Sequence, residues 1–111
     1  VSPVPVEFRN RYFDSCPGIQ KENYLIRMNI RKLIQFRHFN LIASEYPIAT
    51  KFQIIFCRNV LYYLDTDTRE QLLKKLVNHL DGQGWLVLGI TESGYRLNGM
   101  QKLSYCIYRK N

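Results

Sequence analysis

Two stretches of the chain are apolar on both alternating faces. Phe52–Cys57 (FQIIFC) and Trp85–Ile90 (WLVLGI) are short, rich in Phe, Ile, Leu and Val, and read as strands buried on both sides, the mark of a parallel sheet. Between them Thr66–Leu80 follows a helical period, with Leu72, Leu73, Leu76, Val77 and Leu80 on one face. Asp65, Thr66 and Asp67 offer N-cap oxygens, Asp67 with Glu70 resembles a capping box, and Gly82 is placed to supply the C-terminal turn. Strand, helix and strand at these lengths predict a βαβ unit with a right-handed crossover, hence an α/β fold.

The flanks are less regular. Val6–Phe13 predicts a short helix after Pro5, Asp14–Glu22 a loop around Pro17 and Gly18, and Tyr24–Arg27 a short strand. Ile30–Phe36 fits either strand or helix, and Phe36–Ile42 reads as a strand followed by a loop near Pro47. In the tail, Tyr95–Leu97 and Leu103–Arg109 are strand candidates. Their link is too short for a helical crossover, so the last strand is expected to be antiparallel.

Composition narrows the class. The 111 residues are 46% hydrophobic and have room for one modest core. No apolar run approaches the ~20 residues of a membrane span. The start, Val1–Pro5, has no signal-peptide pattern and reads as the middle of a longer protein. Cys16, Cys57 and Cys106 show no CxxC spacing, so a reducing, cytoplasmic setting without disulfides or metal is expected, with Cys57 and Cys106 as core residues. The net charge of +7 fits nucleic acid, an anionic membrane or an acidic protein. The cations are scattered without interleaved aromatics, which favours an acidic protein partner over nucleic acid.

Ligands of open α/β sheets bind beyond the carboxyl ends of the strands. Three loops qualify: Asn40-Leu41, Arg58–Tyr63 and Thr91-Glu92-Ser93. Arg58 offers fixed donors for a carboxylate or phosphate, and Asn59 offers both donor and acceptor. Such groups either bind a ligand or hold the loop in shape, and position alone leaves both open.

The stretch Phe52–Asp65, FQIIFCRNVLYYLD, closely resembles the F-D-x-I-F-C-R-N-V-L-I-Y-F-D signature of the chemotaxis receptor methyltransferases, the CheR family. Gly84–Gly89 resembles the family's GGYLFLGHSES strand, and Tyr105–Arg109 its final strand. Upstream, Pro5–Phe13 is similar to its P-x-x-x-x-x-R-Y-F segment and Phe36–Leu41 to its V-x-F-x-x-x-N-L segment. The resemblance runs through nearly the whole chain in order; its CRNV core is specific, while the helix and last strand are generic.

The resemblance implies the C-terminal half of a Rossmann-like class I S-adenosylmethionine (SAM) methyltransferase, residues 36–111, preceded by part of a small inserted β-subdomain, residues 1–35. It implies methyl-ester formation on glutamates of the chemoreceptor cytoplasmic region. It places Asn40 and Leu41 beside the adenine of SAM, Arg58 and Asn59 along the cofactor pocket, and Tyr63 near the transferred methyl group. Competing structural roles are packing of Tyr62 or Tyr63 on the sheet edge, and an ion pair from Arg58 that braces the loop. His38 and His79 are expected to be surface or bracing residues. Glu92 aligns with the glutamate of HSES, but a solvated loop carboxylate is an equal expectation.

Gln53 replaces the family's Asp, and Ile90-Thr91 its His-Ser. The chain also lacks a glycine-rich turn after a first strand and the acidic residue that would hold the ribose about 20 positions on. The isolated chain is therefore expected to bind SAM weakly or not at all, and to associate with itself through exposed strand edges. Two further readings are a non-catalytic, methyltransferase-like interaction module and a methyltransferase-fold protein acting on nucleic acid.

Overall fold

The computed structural model describes residues 3–15, 24–92 and 94–111. The chain forms two compact units, Val1–His38 and Phe39–Asn111.

In the first unit, helix α1 (Val6–Tyr12) starts at Pro5, whose carbonyl accepts the Arg9 N–H at 2.9 Å. Strand β1 (Phe13–Ser15) pairs antiparallel with β2 (Tyr24–Ile26), setting Phe13 opposite Ile26. Arg27 ties the pair to α1: its guanidinium donates to Asp14 at 3.2 Å and to the Asn10 carbonyl at 2.8 Å. The four-residue helix α2 (Met28–Arg31) then resolves the ambiguity of the following segment, which continues irregularly after one helical turn. Cys16 and most of the loop expected at Asp14–Glu22 lie outside the described residues, as does Ser93.

The second unit is a four-stranded sheet in the order β3-β4-β6-β5, covered by one helix. β3 (Phe52–Cys57) runs parallel to β4 (Leu80–Leu88), and α3 (Thr66–Asn78) makes the crossover between them. β6 (Ile107–Lys110) pairs antiparallel with both β4 and β5 (Met100–Lys102), matching the antiparallel ending expected. The fold is thus α/β, but β3 is not buried on both faces as expected: it ends the sheet, and Gln53, Ile54 and Phe56 are exposed. Leu72, Leu73 and Leu76 of α3 pack with Cys57, Leu80, Leu86, Leu88 and Tyr108 to form the core. Each fully buried leucine contributes roughly 1.5–3 kcal/mol.

Local chemistry sets the helix ends. Asp65 is the N-cap, accepting the Thr68 N–H at 2.8 Å, so the cap falls two residues before the expected Asp67–Glu70 box. The helix closes at His79, whose N–H meets the Lys75, Leu76 and Val77 carbonyls; Gly82 takes no part in that turn and lies inside β4. Between Leu80, opposite Phe52, and Trp85, opposite Ile54, the ladder is irregular, and Gln83 adopts φ 63° there.

Two expected strands are absent among the described residues. Phe36–Ile42 is irregular, with Phe36 92% exposed. Asn40 turns the chain: its side chain accepts the Ile42 N–H at 3.1 Å and its carbonyl the Ala43 N–H at 3.1 Å, which diverts these groups from any ladder. Tyr95–Leu97 is also irregular, because Tyr95 is held at both ends. Its hydroxyl accepts from Arg69 at 2.7 Å, and its carbonyl accepts from the Tyr108 hydroxyl at 2.7 Å. The strand forms later, at β5. No helix among the described residues is long and apolar enough to cross a membrane.

Candidate functional site

The carboxyl ends of β3 and β4 lie side by side, and a buried carboxylate joins the loops that leave them. Cys57 ends β3 in the core, and Arg58 emerges exposed. Asn59 follows at φ 62°, a left-handed conformation that Asn tolerates better than most residues. β4 runs into Gly89 and a 3-10 turn, Ile90–Glu92. Glu92 is 1% exposed. Its Oε1 accepts the N–H of Asn59 at 2.8 Å and of Gly89 at 3.0 Å, while Oε2 accepts the N–H of Leu61 at 2.6 Å. The expectation of a solvated carboxylate is thus corrected: three amide dipoles, aimed inward by the turn, replace water around it.

Leu61, fully buried, anchors the other side of the loop, and the 3-10 turn Leu61–Tyr63 carries Tyr62 and Tyr63 outward. Their rings lie 4.1 Å apart, and the Tyr62 hydroxyl donates to that of Tyr63 at 2.7 Å. That donated bond, helped by desolvation and the nearby Glu92, raises the Tyr62 pKa. It leaves the Tyr63 proton free to point outward. Tyr63 is 75% exposed.

Along β3, from Phe52 to Arg58 just past its tip, lies a cavity of about 360 Å³, lined mainly by apolar side chains including Phe39, Leu41, Phe56 and Val60, with Arg58 the one Arg or Lys among its described lining residues. Its outer wall, the segment 39–48, is strapped to α3. The Lys75 ammonium donates to the Leu41 carbonyl at 3.4 Å and to the Ala43 carbonyl, and the His79 ring bridges the Lys75 and Ile48 carbonyls at 2.8 and 3.1 Å. Tyr46 packs between Phe39 and His79, its ring tilted against both, and donates to the Leu41 carbonyl at 2.6 Å. His79 is thus a bracing residue, as expected. Burial raises the Tyr46 pKa, with Cys57 adding to the shift, and likewise raises that of Cys57, with Glu92 adding to it.

The structure therefore brings Leu41 and Arg58 together around one cavity. Asn40 serves its own turn, Asn59 contributes a main-chain N–H to Glu92, and Tyr63 stands on the exposed side of the loop. No ion pair braces Arg58 among the described residues.

The sequence matches the family described as CheR methyltransferase, SAM binding domain, over residues 1–107. The chain belongs to that family. This CheR-family chain is 31% identical over 96 residues to the chemotaxis protein methyltransferase of Borreliella burgdorferi, covering 84% of the chain and 33% of that protein. It is 40% identical over 89 residues to that of Vibrio parahaemolyticus, covering 80% and 30%, and 43% identical over 68 residues to that of Vibrio anguillarum, covering 61% and 24%. The CheR chain spans about a third or less of the length of these relatives.

Membership implies SAM as the cofactor. The cavity fits part of that molecule. Its apolar walls suit an adenine ring, its volume lies at the small end of ligand pockets, and Arg58 suits a carboxylate. Among the described residues, its lining carries no carboxylate to take ribose hydroxyls or an ammonium group. The chemistry of these residues is compatible with one part of SAM and not with the whole of it.

Proposed function

We propose that this chain supplies the C-terminal half of a SAM-dependent methyltransferase that esterifies glutamate side chains of chemoreceptors. The observation that carries the reading is the juxtaposition of Arg58 and Leu41 on one cavity beside a loop that presents Tyr63. Residues 36–111 belong in this reading to the catalytic domain and residues 1–35 to its inserted β-subdomain.

SAM supplies a methyl group made electrophilic by its sulfonium. The acceptor glutamate is ionised near neutral pH and needs no strong base, so the protein's task is alignment. When SAM is bound, Arg58 would hold its carboxylate end, Leu41 and Asn40 would flank the adenine, and Asn59 would line the pocket and shape the turn that follows Arg58. Tyr63, with its proton free of Tyr62, donates to the acceptor carboxylate and orients one of its oxygens toward the methyl carbon. When bound, SAM would supply its methyl carbon to the carboxylate oxygen that Tyr63 orients, and its sulfur would keep the electron pair of the bond given up.

The working site is cytoplasmic, and the partner is the cytoplasmic region of a chemoreceptor rather than nucleic acid. Self-association of the isolated chain through β3 is supported by the place of that strand at the end of the sheet, with Ile54 52% and Phe56 70% exposed. The deciding experiment is transfer of labelled methyl from SAM to a purified chemoreceptor cytoplasmic fragment by the complete protein that carries this sequence. Alkali-labile label on receptor glutamates supports the reading. A complete protein that binds SAM but labels no receptor overturns the substrate, and one that does not bind SAM overturns the enzyme. The 111-residue chain alone is expected to bind SAM weakly or not at all.

A further inference from the structure

We infer that Glu92 is a positioning residue, whose carboxylate sets the path of the Arg58–Tyr63 loop and thereby the places of Arg58 and Tyr63. Its relevance to catalysis rests on the function proposed above; its local geometry does not.

Three observations carry the inference. The carboxylate is 1% exposed and, among the described residues, has no ion-pair partner. Its charge is met by the N–H groups of Asn59, Leu61 and Gly89. Second, two of these donors flank Val60 and lie between the residues at issue: Asn59 follows Arg58 directly, and Leu61 precedes Tyr62 and Tyr63. Clamping both donors sets the backbone at φ 62° on one side and the start of the 3-10 turn on the other. Third, the junction is closed to any substitute. A Cβ on Gly89 would sit 2.6 Å from Asn59 Oδ1 and 2.7 Å from Glu92 Oε1. A buried carboxylate is an expensive way to gain stability, since an apolar side chain of similar size often does better. Its three directional bonds instead give the loop one shape.

The test uses the isotope-labelled 111-residue chain, studied by NMR. In the wild type, the Asn59, Leu61 and Gly89 amides should exchange slowly with solvent. Rapid exchange of all three, as in an open loop, would overturn the inference without any variant. Glu92→Gln keeps the shape but turns an amide NH₂ toward donors. It should speed exchange at these three positions by roughly tenfold or more, with the β4–β6 ladder at Leu86 and Tyr108 unaffected. S-adenosylhomocysteine should bind this variant roughly tenfold more weakly, as loss of one charge-assisted bond's worth of alignment implies. Val77→Ala, on the opposite end of the core, is the control for mere destabilisation and should change neither readout. Unchanged amide exchange in Glu92→Gln, or faster exchange with S-adenosylhomocysteine bound as in the wild type, overturns the inference. If the wild-type chain binds no S-adenosylhomocysteine, ring-to-ring contacts between Tyr62 and Tyr63 decide instead. Their loss in Glu92→Gln supports the inference, and their survival overturns it.

Discussion

The main-chain N–H of Asn59 donates to the buried carboxylate of Glu92 at 2.8 Å, across 33 positions of sequence. The two residues leave the tips of adjacent parallel strands, so the bond ties together the two loops that an α/β sheet offers a ligand. Whatever changes the separation of those strand tips also changes the loop that carries Arg58 and Tyr63.

Gly89→Ala tests how tightly that junction is packed. The added methyl meets Asn59 Oδ1 at 2.6 Å, Glu92 Oε1 at 2.7 Å and the Asn59 nitrogen at 3.0 Å; the Asn59 amide can turn aside, but the last two are bonded to each other and cannot retreat without straining that bond. Overpacking of this kind costs about 1–3 kcal/mol. Gly82→Ala, with nothing within 4 Å of its added carbon, should leave stability within about 0.5 kcal/mol of wild type. Urea unfolding of both variants measures the difference; equal stabilities would mean the tips have room to part.

Asn59 sits at φ 62°, where a branched side chain is disfavoured. Asn59→Gly should therefore fold with nearly wild-type stability, within about 1 kcal/mol, whereas Asn59→Val should lose about 1–2 kcal/mol. Thermal unfolding of the pair separates the demand of the backbone from that of the side chain. A Val variant as stable as the Gly variant would show that the loop readily adopts another path.

The strap on the cavity wall depends on Lys75, whose ammonium serves the Leu41 and Ala43 carbonyls from the flank of α3. Lys75→Ala should release the segment 41–48 while leaving the helix and sheet intact, because the lost bonds, worth about 1.5–3 kcal/mol together, join the segment to the core and not the core to itself. Limited proteolysis should then cut within 41–48 well before wild type. Unchanged cleavage would assign the strap to His79 and Tyr46 alone.

Cys57 is buried, and desolvation with the neighbouring Glu92 holds its thiol in the protonated form beyond the usual range. Cys106 is only partly buried. Iodoacetamide near neutral pH should therefore modify Cys57 roughly tenfold more slowly than Cys106, with the difference vanishing in denaturant. Peptide mapping by mass spectrometry reads both sites, and comparable rates in the native chain would contradict the packing around β3.

The βαβ unit was legible because its period is strong: Leu72, Leu73 and Leu76 can face only a core, and FQIIFC has the composition of a strand, although its apolar pattern does not tell that β3 ends the sheet with Ile54 and Phe56 exposed. Phe36–Ile42 misled because apolar strand-like residues also suit an irregular segment, and the deciding feature, the Asn40 side chain turning back on Ile42, is a local competition that a hydrophobic pattern does not register. The cavity joining Leu41 to Arg58 is a tertiary fact, built by Lys75 and Tyr46, which carry no motif. Glu92 had one usable signal, its alignment with the family's HSES glutamate. Loop carboxylates are usually solvated, and nothing in the sequence tells that three N–H groups from two loops converge on this one.

Acid should weaken the start of α3 in a way that identifies Asp65. Its side chain accepts the Thr68 N–H at 2.8 Å, and that bond, aided by Arg69, holds the carboxyl below its ordinary value of 3.8. A group whose pKa is lower folded than unfolded binds protons more readily when unfolded, so its stabilising effect is present above the unfolded value and fades as pH falls through the folded one. Asp65→Asn retains an oxygen that can cap but does not titrate. The wild type should thus melt higher than Asp65→Asn near neutral pH, and the gap should close as pH falls below about 4. Thermal unfolding followed by circular dichroism from pH 7 to pH 2 measures it. A gap that stays constant over that range would mean that the charge on Asp65, as distinct from its shape, does nothing for the helix.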